Sequence, residues 1–468
     1  MAKAKRRVVE LPAFGWRPRE QQMAAWAALE AGQKRLALAW HRRFGKDDVS
    51  LNWTACDSQV NVGVYWHMLP QANQARKAIW DAVNPHTGRR RIDEAFPVEI
   101  RETTRDQDMF IRFRNGSTWQ VVGSDSYNAL VGSPPRGVVF SEYALADPNA
   151  WAFLRPILAE NGGWALFVST PRGRNHFARM VEFARNDPNW FAQVLTVEDT
   201  GAIPLATIEQ ERRELTAERG EQEAEALIRQ EYYCDFDAPI PGAYYGALIS
   251  RAEREGRIGL FPHLPGLPVG TAWDIGVGDT TVIWFYQQLP NGRVRLVNVL
   301  EGSGVGLEWY AQRIKALSYV CADHVWPHDG GVQEWGSGMT REQTAARFGI
   351  RPRILDRDGI DDGIQAVRLM LPLCEWNTEP EPFPGETIEQ ARARMVRALD
   401  ALRQYRRVWD EKNQRYSDKP LHDWTSNTAD AFRYLAKGRR SGRASAAGNP
   451  LVRVHRQTTA LSDYSILG

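Results

Sequence analysis

The chain has 468 residues, 43% of them hydrophobic and 25% charged, with a formal net charge of +2. This length exceeds what one core organises, so two domains are expected, with the composition of a soluble globular protein. No apolar run reaches membrane-spanning length, no C-x-x-C pair links the four scattered cysteines, and the near-neutral charge sets up no global field for nucleic acid.

The start, "MAKAKRR" followed by "VVELPAFGW", has neither a long apolar core nor a cleavage site. With the dispersed cysteines it reads as a reduced, cytoplasmic protein without a membrane partner. The 18 tryptophans are spread along the chain and are expected to pack cores.

In chain order, residues 1–200 alternate short apolar runs with amphipathic stretches, the pattern of an α/β domain with a mostly parallel sheet. Strands are expected at Arg35–Trp40, Val62–His67, Met109–Phe113, Trp119–Val122, Gly137–Phe140 and Ala165–Ser169. Residues 201–262 read as a helical lid and linker: "LATIEQERRELTAERGEQEAEALIRQE" favours helix, and "APIPGAYYGA" and "LFPHLPGLPVG" are rich in Pro and Gly. A second αβ pattern occupies 263–440. It opens with "VGTAWDIG", continues with "TTVIWFYQQL" and "RVRLVNVLEG" joined at Asn291-Gly292 as a hairpin, then a helix, then a fourth strand running into "VWPHDGG". Thr340 and Gln343 form a capping box, and a helix over Thr387–Trp409 carries Ile388, Met395, Leu399 and Leu402 on one stripe. The last residues, 441–468, belong to a Gly-, Ser- and Arg-rich tail expected to be disordered.

Two stretches of the first domain carry chemistry. "LAWHRRFGKDDVS" holds Gly45-Lys46 after an apolar strand, as in a phosphate-binding loop, but Asp47 stands where a Ser or Thr hydroxyl for magnesium belongs. "RGVVFSEYA" ends an apolar strand in Ser141-Glu142, where an Asp for magnesium and a Glu for the attacking water are usual. One motif has an acid in place of a hydroxyl, the other a hydroxyl in place of an acid. One exchanged ligand pair is more economical than two independent decays. The plainer alternatives are an ordinary strand-to-helix turn and solvated arginines at 42 and 43.

By these motifs the chain resembles the large terminase subunits of tailed phages, over residues 16 to 436. "RPREQQ" is similar to the family's adenine-contacting Q-motif, with Gln22 the better fit by spacing and Gln21 its rival. "HRRFGKD" is similar to its deviant Walker A motif. The resemblance implies that Arg42, Arg43, Phe44, Gly45, Lys46, Asp47 and Asp48 surround ATP. Within that set Lys46 holds the β/γ-phosphates and Arg42 acts on the γ-phosphate. "LPQANQARKAIWD" and "VVGSDSYNALVGSPPRGVVFSEYA" look like segments leading into Walker B, which gives Glu142 the water-orienting role beside Ser141. "FVSTPRGRNHF" resembles the coupling motif, with Ser169, Thr170 and Asn175 sensing nucleotide, and "IRQEYYCDF" resembles the end of the ATPase part.

In the second domain, Asp274 lies among apolar neighbours in "TAWDIG", where a lone Asp is expensive to bury. Asp329 ends the fourth strand and Asp430 sits in "HDWTSNTADAFRYL", whose Ser426 is placed to cap a helix and whose Phe432 and Leu435 are placed to face the core. This order of strands and acids is that of ribonuclease H-like nucleases, in which the first and fourth strands are neighbours. Three carboxylates about 4 Å apart repel by roughly 4 kcal/mol per pair at an effective dielectric of about 20, so such a cluster takes up protons or binds cations. Asp274, Asp329 and Asp430 are therefore the expected ligands of two Mg²⁺ or Mn²⁺ ions, with Asp47 a magnesium ligand at the other site. Asp279 and Asp423 are second-rank candidates, and His422 and His328 are placed as outer-shell groups. The plainer alternative is that Asp274 caps a turn with Asp279 and that Asp329 merely starts a loop.

The expected function is an ATP-driven motor that moves double-stranded viral DNA into a procapsid and cleaves it with a two-metal endonuclease. A DNA-repair or restriction-type helicase–nuclease and a non-enzymatic DNA-binding ring protein are the alternatives. The resemblance implies double-stranded DNA, a small terminase subunit and the portal protein of the procapsid as partners. It also implies a homo-oligomeric ring, a pentamer, in the cytoplasm of the host cell.

Overall fold

The structure, a computed structural model, describes residues 8–125, 127, 132, 134–276, 280–331, 339–357, 359–410 and 415–447. Its contacts divide the chain into two compact units, Met1–Gly256 with Arg392–Ala429, and Arg257–Ala391 with Asp430–Gly468.

The first unit is built on eight strands: β1 (Arg35–Trp40), β2 (Val64–Leu69), β3 (Arg101–Arg105), β4 (Phe110–Phe113), β5 (Thr118–Gly123), β6 (Pro135–Ser141), β7 (Trp164–Ser169) and β8 (Phe191–Leu195). They lie in the order β3-β4-β5-β2-β6-β7-β1-β8. The six from β5 to β8 run parallel, and β3 and β4 add an antiparallel edge. Successive residues of β1 feed different cores: Leu36, Leu38 and Trp40 join one, Ala37 and Ala39 the other. A strand buried on both faces reads as a continuous apolar run, which is why β1 and β7 are legible in sequence. The two unexpected strands, β3 and β8, are the sheet's edges. In β3 the sequence Arg-Glu-Thr-Thr-Arg is mostly exposed, so it carries no apolar signal.

The lid comprises two helices, Leu205–Arg219 and Glu221–Tyr232, broken at Gly220, whose φ of 84° favours glycine. Their Ile208, Ile228 and Tyr232 enclose a small core with Val197.

The second unit holds β9 (Ile258–Gly259), β10 (Val269–Asp274), β11 (Thr280–Gln288), β12 (Val294–Ser303), β13 (Cys321–Trp326), β14 (Pro352–Ile354) and β15 (Cys374–Asn377), in the order β14-β13-β10-β11-β12-β15-β9. The first three long strands form an antiparallel meander and β13 returns parallel to β10, as expected of a ribonuclease H-like sheet. Ile283 and Phe285 share a core with Tyr310, Ala311 and Ile314 of helix Leu307–Ala316. Trp284, pointing the other way by strand alternation, meets Phe432 of helix Ser426–Ala447 at 5.3 Å. Phe432 and Leu435 are fully buried, as their spacing suggested. The expected capping box forms at Thr340, whose side chain accepts from Gln343 N.

Helix Ile388–Gln404 ends earlier than Trp409, where a short hairpin of β16 (Arg407–Asp410) and β17 (Arg415–Pro420) begins. From Arg392 on, this stretch packs in the first unit, although its position in the chain lies within 263–440. Matched charges hold it there. Arg397 reaches Asp147 at 3.1 Å, and Asp400, 1% exposed, binds Arg179 as well as Arg403 at 3.2 Å. Leaving Asp400, or either member of the Arg397–Asp147 pair, without its partner costs about 3–5 kcal/mol, whereas the solvent-exposed Arg179 adds less. Helix Ser426–Ala447 runs past residue 441, and 448–468 lie outside the described residues. Among the described residues no helix is long and apolar enough to cross a membrane.

Candidate functional site

The order β6-β7-β1 places the carboxyl ends of three parallel strands side by side, with Ala39 opposite Ser169 and Val168 opposite Ser141. Ligands of open parallel sheets bind at this edge. After β1 the chain turns through Arg43 (φ 62°) and Gly45 (φ 80°) into helix Lys46–Val60. The helix N-terminus offers unpaired backbone N–H groups and a positive dipole end, suited to a polyphosphate anion. The Lys46 ammonium, 8% exposed, donates to the loop's own carbonyls at Trp40 (3.1 Å) and His41 (3.2 Å). Phe44 anchors the loop, with its ring buried against Trp40 and its carbonyl accepting from Gln22 Nε2 at 2.6 Å.

Gln22 is engaged at both ends, because its Oε1 also accepts from Arg19 N at 2.9 Å. It braces the loop in this structure, while Gln21 is half-buried and offers its carbonyl to Gln193. Asp48 lies 3.7 Å from Arg91, and burial, partly offset by that arginine, raises its carboxyl above the ordinary value.

The two exchanged positions meet. Ser141 Oγ donates to Asp47 Oδ1 at 2.7 Å, across 94 residues of sequence. His67 of β2, fully buried, stands behind them with Nε2 3.4 Å from the same oxygen. Burial pushes the Asp47 carboxyl up, but the neighbouring His67, Ser141 and Lys46 outweigh it and hold the group below its usual value.

Glu142 follows in the left-handed region, φ 52°, a conformation that costs a non-glycine residue and gathers at functional sites. Its Oε2 is buried without a hydrogen-bond partner among the described residues. Burial raises this carboxyl, and Lys46 and Arg172 oppose the shift without cancelling it. Thr170 Oγ1 is likewise buried and unpartnered, whereas Ser169 Oγ donates to Thr170 O and accepts from Ala144 N. Asn175 is committed to structure. It caps helix His176–Asn186 and donates to Ala144 O at 2.7 Å.

Three residues of this site carry no role in the sequence reading. Glu231 of helix Glu221–Tyr232 pairs with Arg172 and lies 3.8 Å from the half-exposed Arg42, whose backbone N–H donates to Glu231 O at 2.8 Å. One lid carboxylate thus ties two arginines of the phosphate-facing edge. Arg172 and Glu231 lie inside the motifs "FVSTPRGRNHF" and "IRQEYYCDF", while His67 lies within the apolar strand β2 without any local signal.

In the second unit Asp274 closes β10, next to the β13 strand that leads to Asp329. Asp274 and Asp430 both act on the Tyr434 hydroxyl, which burial first and then these carboxylates push up to about 12. Asp329 instead lies 3.5 Å from Arg341, a cation that already offsets its charge. Among the described residues no three His, Cys, Asp or Glu side chains stand close enough to share a metal ion, so the three-acid cluster expected from the sequence is not assembled there. Asp279 lies outside the described residues. His422 and Asp423 fall in the first compact unit, where Asp423 accepts from Thr425 N and approaches Arg406 at 3.8 Å. His328 sits beside Asp329 in the short helix His328–Gly331.

No family model matches this chain. It is similar to the terminase large subunit of Escherichia phage T5, 24% identical over 353 residues, 71% of this chain and 72% of that relative. Among solved structures it is similar to the large terminase of a thermophilic bacteriophage in complex with ADP. That match is 15% identical with a TM-score of 0.38, covering 89% of this chain and 98% of the other. The large terminase ATPase domain of Thermus phage P74-26 is 19% identical with a TM-score of 0.37, covering 47% and 95%. The resemblance to large terminase subunits, read from motifs, is thus found again along most of a relative's length.

Proposed function

We propose that the chain is the large subunit of a phage terminase, an ATP-driven motor that translocates double-stranded DNA into a procapsid and cleaves it with a metal-dependent endonuclease. The observation that carries the first half is the Asp47–Ser141 contact beside a buried carboxylate oxygen of Glu142 that has no hydrogen-bond partner among the described residues. In this reading Lys46 leaves its loop carbonyls for the β/γ-phosphates, Arg42 reaches the γ-phosphate, and Glu142 orients the attacking water and accepts its proton. Asp47 and Ser141 hold the magnesium ion, which supplies charge neutralisation on the phosphates. The second half rests on acids at the end of β10 and on helix Ser426–Ala447, in a sheet of ribonuclease H-like order. A small subunit, a portal and a ring of copies belong to the same reading. A helicase–nuclease is less favoured, because between β8 and β10 the chain holds only helices and the two-residue β9, no second motor sheet.

The test is direct. Full-length protein is expected to hydrolyse ATP faster with DNA present, and Lys46→Ala to remove that activity. The same variant is expected still to cut plasmid with Mn²⁺, and EDTA to stop the cutting. Absence of ATP hydrolysis under any DNA or divalent-cation condition, from folded protein, sinks the motor reading.

The exchanged pair has its own test. Asp47→Ser leaves the ion no carboxylate from either motif, and Ser141→Asp crowds two carboxylates at one octahedral ion. Each single change is expected to lower ATP turnover about tenfold or more, roughly 1.4 kcal/mol of barrier. The double change rebuilds the usual hydroxyl-then-acid arrangement and is expected to recover much of the loss in a double-mutant cycle. A double variant as poor as the product of the singles shows that no exchange exists.

A further inference from the structure

His67 is fully buried in the parallel sheet, and neither of its ring nitrogens has a well-formed hydrogen bond among the described residues. Buried imidazoles normally satisfy at least one nitrogen, since an unpaired polar group is costlier there than an apolar side chain of similar size. Beside it stands Asp47 Oδ1, 3.4 Å from Nε2, which is the oxygen that also accepts from Ser141. The Trp119 ring also packs near it, 6.4 Å between centroids at an interplanar angle of 75°. The position on β2, between β5 and β6, aims the imidazole at the first turn of helix Lys46–Val60 from behind.

We propose that His67 is a positioning residue for Asp47, present because this loop carries a carboxylate where a hydroxyl is usual. The inference rests on the reading of Asp47 as a cation ligand. A hydroxyl at that position presents one oxygen through one rotor, χ1, and so needs less anchoring. A carboxylate has two oxygens and a free rotor, so it needs a donor behind it to present the second oxygen in one direction. Ser141 Oγ is the donor in this structure. A cation bound through a lone pair of Ser141 Oγ leaves its O–H able to donate to Oδ1, and the Nε2–H of His67, after closing a few tenths of an ångström, gives the same oxygen a second anchor that fixes the carboxylate plane. Ligating carboxylates are commonly held this way, and losing the outer partner typically weakens metal affinity about 10–100-fold.

The experiment measures Mn²⁺ binding in the presence of ADP by electron paramagnetic resonance, on full-length protein carrying Asp274→Asn and Asp430→Asn so that the proposed nuclease acids do not contribute, with thermal melts on every variant. Asp47→Asn tests the underlying site, and unchanged Mn²⁺ affinity there sinks the cation-ligand reading itself. With that loss established, His67→Leu is expected to weaken Mn²⁺ about 10–100-fold, and His67→Asn, which keeps an N–H donor, to regain most of it. In the Asp47→Ser/Ser141→Asp background the carboxylate has moved to β6, and His67→Leu is expected to change Mn²⁺ affinity little. His67→Leu binding Mn²⁺ like wild type, or weakening it equally in both backgrounds, overturns the proposal and leaves His67 a packing residue. Should His67→Leu fail to fold, His67→Asn and His67→Ala decide it: recovery by Asn alone supports the role, and equal affinity in both removes it.

Discussion

Glu142→Gln is expected to lower ATP turnover about 10²- to 10⁴-fold, the range for loss of a positioned general base, while nucleotide binding stays near wild type. The expectation starts from a physical anomaly. Glu142 Oε2 is buried with no hydrogen-bond partner among the described residues, and burial raises the carboxyl against the pull of Lys46 and Arg172. A group so placed is costly to stability and persists where it performs chemistry. Gln has the same shape, so the left-handed backbone at this position (φ 52°) is asked to hold no new volume. What changes is the ability to accept a proton from water. Binding depends on Lys46 and the N-terminus of helix Lys46–Val60, which the substitution leaves in place. Single-turnover hydrolysis and a fluorescent-nucleotide titration separate the two quantities. Turnover of the Glu142→Gln variant at the wild-type rate removes Glu142 from the chemistry. A parallel loss of binding shows instead that the residue organises the loop.

The second large effect is expected in DNA cutting. Asp274→Asn and Asp430→Asn should each abolish cleavage of plasmid with Mn²⁺ and leave DNA-stimulated ATP hydrolysis unchanged. Asp274 closes β10, Asp430 lies on helix Ser426–Ala447, and both carboxylates push the Tyr434 hydroxyl upward. Neutralising either removes a charge that a cation or the reacting phosphodiester would sense, without changing side-chain volume. Asp329→Asn is expected to abolish cutting as well, but it stands apart in geometry, because Arg341 already faces it at 3.5 Å. Cleavage assays of all three, with ATPase rates as the folding control, test the set. Robust cutting by one variant excludes that residue alone, and robust cutting by all three excludes this sheet as the nuclease.

Much of this molecule is determined by local sequence. The strands β1 and β7 are continuous apolar runs because alternate residues fill two cores, and that pattern is visible without coordinates. The Asn291-Gly292 hairpin and the Thr340–Gln343 capping box follow from turn and cap chemistry confined to a few residues. The pairing of Asp47 with Ser141 is legible as well, because each sits at a fixed offset within a strand-to-loop motif and both strands end at one sheet edge. The edge strand β3 is not legible, since a strand half in solvent needs no apolar alternation. Tertiary structure alone decides the rest. Helix Ile388–Gln404 shows an apolar stripe in sequence, but only its partners, the buried Asp147 and the exposed Arg179, tie it to the first unit from Arg392 on. His67 behind Asp47, Glu231 between two arginines, and Arg341 beside Asp329 are meetings of side chains from different elements. Hydrophobic periodicity and turn chemistry act over a few residues and are written locally. The charge that finally faces a buried carboxylate depends on how distant segments pack, which no local pattern encodes.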